Sequence, residues 1–165
     1  MTKIPGKLKE EDLDQLIELV KDKAVLMLGC YCGRALVEVA KHARRVWVLD
    51  NFKYPGGVEG VVEELKANVD RHVPEDKRID LLYGTPDSWG VPPGSEDLRK
   101  EEVEVVYQDA DRDSPLSDAK FVWEILHRNR GIYAWHTSQG NLLWAVFDPV
   151  KCSEPYRGGV LAEVS

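Results

Sequence analysis

At 165 residues the chain suits one domain built around a single substantial core. Its composition, 43% hydrophobic and 31% charged, argues against a disordered or membrane-spanning chain, and no apolar run approaches the roughly 20 residues that cross a bilayer. The net charge of −7, from 22 basic and 29 acidic residues, argues against a general nucleic-acid binder, whose affinity comes from neutralising phosphates.

The opening MTKIPGKLKEED lacks the apolar stretch of a secretory signal, so the cytoplasm is the expected location and no membrane partner is expected. Three cysteines cannot make a disulfide framework, and Cys30-x-Cys32 has neither redox nor zinc spacing. Leu13, Leu16, Ile17 and Val20 recur at helical spacing and predict an amphipathic helix over Glu10–Lys21 within an N-terminal unit of residues 1–22. Ala24–Leu28 is a short, unbroken apolar run, as in a parallel strand covered on both faces. Leu36, Val39, Ala40 and Ala43 form the next helical stripe, and Arg45–Leu49 the second strand. The short basic cluster Lys41, His42, Arg44, Arg45 reads as a solvated helix face. A longer helix follows through Val58, Val61, Val62, Leu65 and Val69, then a third strand over Ile79–Tyr83.

A polar, Pro/Gly-rich stretch at 85–102 reads as a lid-like loop carrying Trp89. Val103–Tyr107 is the expected fourth strand. Ser114-Pro115 then reads as an N-cap with proline at the first helical position, opening a helix with Leu116, Ala119, Val122 and Leu126 that Gly131 ends. Ile132–Trp135 would be strand five, and Leu142–Phe147 and Gly159–Val164 two late strands with no helix between them. Alternating strands and helices closed by a strand pair predict a single α/β domain over residues 1–165. Its form is a doubly wound, Rossmann-like, mostly parallel sheet with an antiparallel edge pair and helices on both faces.

Ligands of such sheets bind at the carboxyl ends of the strands, where the strand order reverses. The first strand-to-helix turn, GCYCGR, puts Gly29 directly after a strand, and Asp50 closes the next strand near the spacing of a ribose-binding acid. A ribose-containing cofactor is therefore expected. A dinucleotide site wants G-x-G-x-x-G, whose middle glycine lets the pyrophosphate approach; here the turn is G-x-x-x-G, with Tyr31 at that point. S-adenosylmethionine carries no phosphate, and the spacing favours it over a nicotinamide cofactor. The turn alone, however, is also met where glycine serves only the backbone.

The stretches IPGKLKEEDLDQLIELV, VLMLGCYCGRALVEVA and VWVLDNF resemble class I S-adenosylmethionine-dependent methyltransferases. The likeness is to the small-molecule branch whose first motif runs hydrophobic-Glu-hydrophobic-Gly-x-x-x-Gly-Arg-Ser. It continues through EGVVEELKANVDRHVPEDKRIDLLYGTPDS to VEVVYQDADRDS, where that branch has a phrase such as IDADHSY or VDADK, and it covers about Ile4 to Asn141. The resemblance implies that Gly29, Cys30, Tyr31 and Gly33 line the methionine part of S-adenosylmethionine. It further implies that Asp50 holds the ribose, that Asn51 and Phe52 flank the adenosine, that Gly84 and Thr85 meet the adenine edge, and that Asp109 opens the fourth-strand motif. Met27 stands where the first motif usually has an acid that helps hold the cofactor's amino group, and Thr85 where an Asp is common.

In the metal-dependent members, the acid matching Asp109 helps to bind a divalent cation that acidifies the acceptor hydroxyl. Here His136 and Thr137 follow strand five in place of carboxylates, and Arg112 stands where a catalytic lysine would be, so a divalent metal is disfavoured and no metal ligand is assigned. His136, at a strand's carboxyl end, is the general-base candidate, although a packed loop histidine has the same sequence signature. Asp109 is the second catalytic candidate; with Asp111, it equally suits a turn before Ser114-Pro115. Trp135 and Trp89 could wall an acceptor pocket, although most tryptophans simply pack.

The expected function is methyl transfer from S-adenosylmethionine to a small-molecule acceptor, with a hydroxyl favoured over an amine. Two alternatives stay open: a non-catalytic domain binding S-adenosylmethionine or S-adenosylhomocysteine, and a nicotinamide-dependent oxidoreductase. A nucleic-acid substrate is disfavoured, and a homodimer through the N-terminal helix or the late strands is compatible with the pattern.

Overall fold

The computed structural model describes residues 8–29, 33–50, 58–83, 103–108, 126, 131–136 and 141–147. Helix α1 (Glu10–Val20) precedes strand β1 (Ala24–Leu28), helix α2 (Arg34–His42), strand β2 (Arg45–Asp50), helix α3 (Val58–His72) and strand β3 (Ile79–Tyr83). Strands β4 (Val105–Gln108), β5 (Gly131–His136) and β6 (Leu142–Phe147) complete one sheet, ordered β3-β2-β1-β4-β5-β6. All neighbours run parallel except β5 and β6.

Every residue of β1 is buried, which is why its sequence is apolar without alternation. On one face of the sheet, Val25, Met27, Val46, Val48, Val105, Tyr107, Ala134 and Leu142 share a single core with α1, α2 and α3. The helices contribute Leu16 and Val20, then Ala35, Leu36, Val37, Val39 and Ala40, then Leu65. The opposite face carries Leu26, Leu28, Trp47, Leu49, Val106, Tyr133 and Trp135, all buried. Leu126, helical and fully buried, packs there against β5 at Gly131. Acidic Glu10, Glu11 and Asp12 open α1, where they complement the positive end of the helix dipole, and Lys41 and His42 close α2.

Several boundaries differ from the sequence expectation. Helix α1 stops at Val20, with Lys21 as its C-cap and the chain turning at Asp22, φ 59°. Strand β2 runs one residue further, to Asp50. Strand β4 begins two residues later than expected and ends one later, at Gln108. Val103 is fully buried, yet it lies ahead of the strand pairing: next to it, the Glu104 N–H reaches the Ala24 carbonyl at 2.9 Å. Gly131 opens β5, opposite Phe147, and does not simply end the preceding helix. A Cβ there would lie 2.6 Å from Leu126 Cδ2 and 3.0 Å from the Glu104 carbonyl oxygen, so packing excludes a larger residue. The expected Ser114-Pro115 helix start and the Gly159–Val164 strand lie outside the described residues.

Candidate functional site

From β1 the chain builds outward through β2 to β3, then returns to the other side of β1 for β4, β5 and β6. The strand order therefore reverses between β1 and β4, and a ligand-binding crevice is expected at their carboxyl ends. Gly29 follows β1 directly at φ 88°, a left-handed conformation that side-chain-bearing residues rarely adopt. Its N–H donates to the Leu49 carbonyl at 2.9 Å, which ties the turn to the end of β2. Because Leu28 pairs with Leu49, Gly29 and Asp50 come level one step further on. The turn and the acid singled out in the sequence are thus neighbours at the carboxyl edge.

Gly33 closes the turn as the N-cap of α2, at φ 91°, and its carbonyl accepts the Val37 N–H at 2.8 Å. A Cβ at Gly33 would meet Leu65 Cδ1 at 2.6 Å. This glycine therefore has a structural duty of its own: it lets α3 close over the start of α2. Cys30, Tyr31, Asn51, Phe52, Gly84, Thr85 and Asp109 lie outside the described residues, as do Trp89 and the 85–102 stretch. Met27, the residue in place of an acid, is fully buried in the core beneath the helices.

His136 ends β5, is only 4% exposed, and holds its ring 6.4 Å from that of Tyr107 on the helix-packed face. It pairs across the antiparallel ladder with Leu142, whose N–H donates to Asp12 Oδ2 at 3.0 Å. Next to this bond, Lys9 Nζ donates to Asn141 Oδ1 at 2.7 Å. The first turn of α1 thus clasps the start of β6 beside His136. Among the described residues no group of three or more His, Cys, Asp or Glu side chains has the geometry of a metal site.

Sequence reasoning missed Gln108. The last residue of β4, it is 1% exposed, and its Oε1 accepts a 2.5 Å hydrogen bond from the Tyr133 hydroxyl. It pairs with Leu28 on one side and Trp135 on the other, and is the polar member of the row Leu49, Leu28, Gln108, Trp135. The available signal was a glutamine where the resembled phrases IDADHSY and VDADK carry an apolar residue. Trp135 packs against Tyr133 with ring centroids 5.2 Å apart, so it belongs to the core as well as to the strand-five end.

The basic cluster sits at the opposite, amino edge, where Lys41, Arg44 and Arg45 each face an acid. Lys41 pairs with Glu38 at 3.1 Å, Arg44 with Glu104 at 3.2 Å, and Arg45 with Asp80 at 3.1 Å. The Arg45 guanidinium also lies 4.1 Å from the centre of the Trp47 ring.

No protein-family model and no curated protein matches the chain. Solved structures do. A methyltransferase from Thiobacillus denitrificans, in complex with S-adenosyl-L-homocysteine, is 17% identical with TM-score 0.57, the match covering 81% of this chain and 50% of that one. A SAM-dependent O-methyltransferase from Thermotoga maritima is 12% identical with TM-score 0.57, covering 81% and 46%. A precorrin 8w decarboxylase from Methanobacterium thermoautotrophicum is 19% identical with TM-score 0.54, covering 80% and 64%. The chain has the class I S-adenosylmethionine-dependent methyltransferase fold. In each of these three matches it spans less than two thirds of the neighbour's length.

Proposed function

We propose that the protein binds S-adenosylmethionine at the carboxyl edge of its sheet and transfers the methyl group to a small-molecule acceptor, with a hydroxyl favoured over an amine. The observation that carries this is the left-handed Gly29, tied to the Leu49 carbonyl beside the strand-order reversal and level with Asp50. Asp50 accepts hydrogen bonds from the ribose hydroxyls, and the Gly29–Gly33 turn, with Cys30 and Tyr31, lets the sulfonium end approach the backbone. Asn51 and Phe52 flank the adenosine, and Gly84 and Thr85 meet the adenine edge.

The cofactor supplies an electrophilic methyl group on a sulfonium. The protein holds the acceptor in line with it and takes up the hydroxyl proton as the new carbon–oxygen bond forms. His136, which ends β5, is the base, and Asp109, the next residue in the chain after β4, orients the acceptor. With His136 ending β5 and Thr137 following it in place of carboxylates, the donor set does not favour a divalent cation as the activator. Replacing His136 with Asn should lower turnover by about 10²–10⁴-fold while leaving cofactor affinity within about twofold.

A second reading, a non-catalytic domain that binds S-adenosylmethionine or S-adenosylhomocysteine, is favoured by the burial of Met27 and of His136. Calorimetric titration of wild type and Asp50→Ala with S-adenosylmethionine, S-adenosylhomocysteine and NAD tests both. Binding of the two sulfur ligands, lost in Asp50→Ala, supports the cofactor site, and turnover in an acceptor screen then separates enzyme from binding domain. Binding of NAD alone would make the protein a nicotinamide-dependent oxidoreductase instead.

A further inference from the structure

Among the described residues β6 forms one edge of the sheet, and the hydrogen-bond pattern fixes which of its backbone groups face outward. Along a strand, the N–H and C=O of one residue point to one side and those of the next residue to the other. The Ile132 N–H donates to the Glu104 carbonyl, so Ile132, Ala134 and His136 face β4. Gly131, Tyr133 and Trp135 then face β6, where the register gives them Phe147, Ala145 and Leu143 as partners. Leu142, Trp144 and Val146 therefore direct their N–H and C=O groups away from the sheet. Leu142 agrees with this, since its N–H donates to Asp12 Oδ2 at 3.0 Å and not to β5.

The first turn of α1 thus closes one end of the edge, through Asp12 and the neighbouring bond from Lys9 to Asn141. Beyond Leu142, no described residue takes the outward groups of Trp144 and Val146. The strand at the opposite edge, β3, is guarded by charge: it contains Asp80, and Arg78 just before it pairs with that acid at 3.4 Å. Strand β6 reads LLWAVF, with no charge and no proline, so nothing in it discourages a further strand.

We propose that two copies of this chain associate through β6, edge to edge and antiparallel, so that their sheets become continuous. Hydrogen bonds form only where outward residues lie opposite outward residues. The register that stays within β6 and keeps the Asp12–Leu142 bond sets Trp144 opposite Val146 of the partner subunit, and Val146 opposite the partner's Trp144. Each such pair exchanges both of its N–H···O bonds. Ala145, the smallest residue of β6, then meets its own counterpart on the two-fold axis. There antiparallel backbones come closest, with Cα atoms about 4.5 Å apart. The edge is its own complement about Ala145, which favours a second copy over an unrelated strand.

Sedimentation equilibrium of the full chain, over a dilution series, tests this. Wild type should be a dimer that dissociates on dilution. Ala145→Glu sets like charges against each other on the axis and should weaken the dimer about tenfold or more, as should Ala145→Lys. Mixing those two variants should restore a heterodimer, because opposite charges then meet there. Val146→Pro removes an outward N–H and none of the bonds to β5, so it should weaken association by about 10- to 100-fold with secondary structure intact. Hydrogen exchange on wild type needs no variant: the Trp144 and Val146 amides should exchange faster on dilution, while the Leu142 amide holds its rate. A wild type that is monomeric throughout would overturn the proposal, whether its edge is open or covered by the residues after Phe147. So would a dimer that Ala145→Glu and Val146→Pro leave unchanged, or exchange at Trp144 and Val146 that ignores concentration.

Discussion

Gly33 shows how one residue can serve backbone and packing together. Its φ of 91° disfavours any Cβ, and the space a Cβ would take is already held by Leu65. Gly33→Ala should therefore lower stability by about 2 kcal/mol or more, read as a drop in denaturant midpoint with unchanged slope. Leu65→Ala alone leaves a cavity. Combined with Gly33→Ala it removes the clash, so the double variant should lose less than the sum of the two single losses, with a coupling of about 0.5–3 kcal/mol. Strict additivity would mean that the two groups do not meet. At this scale the candidate site was legible in part. The glycines and Asp50 stood out because backbone need and terminal position leave a mark in local sequence. Gln108 did not, because its partner Tyr133 is 25 residues away and its meaning depends on a register that sequence does not print.

Among the elements, α1 is more than a cover for the core. Its first turn supplies Asp12 to the Leu142 N–H and Lys9 to Asn141, and through them it fixes the β5–β6 corner where His136 sits. Asp12→Ala leaves that N–H without its acceptor and should cost about 1 kcal/mol, with faster hydrogen exchange at Leu142 and its neighbours in β6. Lys9→Ala, at an exposed bond, should change stability by less than about 0.5 kcal/mol. If Asp12→Ala leaves β6 exchange unchanged, the clasp is incidental. Most of the described elements could be anticipated because a strand buried on both faces must be apolar throughout and a helix over the sheet must show a 3.6-residue stripe. Boundaries were harder. Apolarity reports burial, not pairing, so Val103 read as part of β4 although the ladder starts at Val105, and Gln108 read as outside a strand that it ends.

Across the whole molecule the two edges of the sheet divide the work. At the amino edge, Glu104 Oε2 accepts from the Ala24 N–H at 2.9 Å and from Arg44, and the Glu104 carbonyl accepts from Ile132, joining β1, β4 and β5 where they begin. Gly29, Asp50, Gln108 and His136 lie at the other edge. Substitutions at the two edges should accordingly separate stability from binding. Glu104→Ala leaves the Ala24 N–H unpaired and should cost about 1–2 kcal/mol; the Arg44 pair adds little because its guanidinium is largely exposed. Its affinity for S-adenosylhomocysteine should stay near that of wild type, since the strand ends proposed to hold the ligand are a full strand length away. Asp50→Ala should do the reverse. A ligand that binds only the folded state stabilises it by about 2.7 kcal/mol at 100 times its dissociation constant. Saturating S-adenosylhomocysteine should therefore raise the melting temperature of wild type and of Glu104→Ala by similar amounts, and leave that of Asp50→Ala unmoved. A shift retained in Asp50→Ala would place the ribose contact elsewhere. A shift lost in Glu104→Ala would mean that the two edges are coupled through the strands and that the crevice depends on how β1 and β4 are joined at their starts.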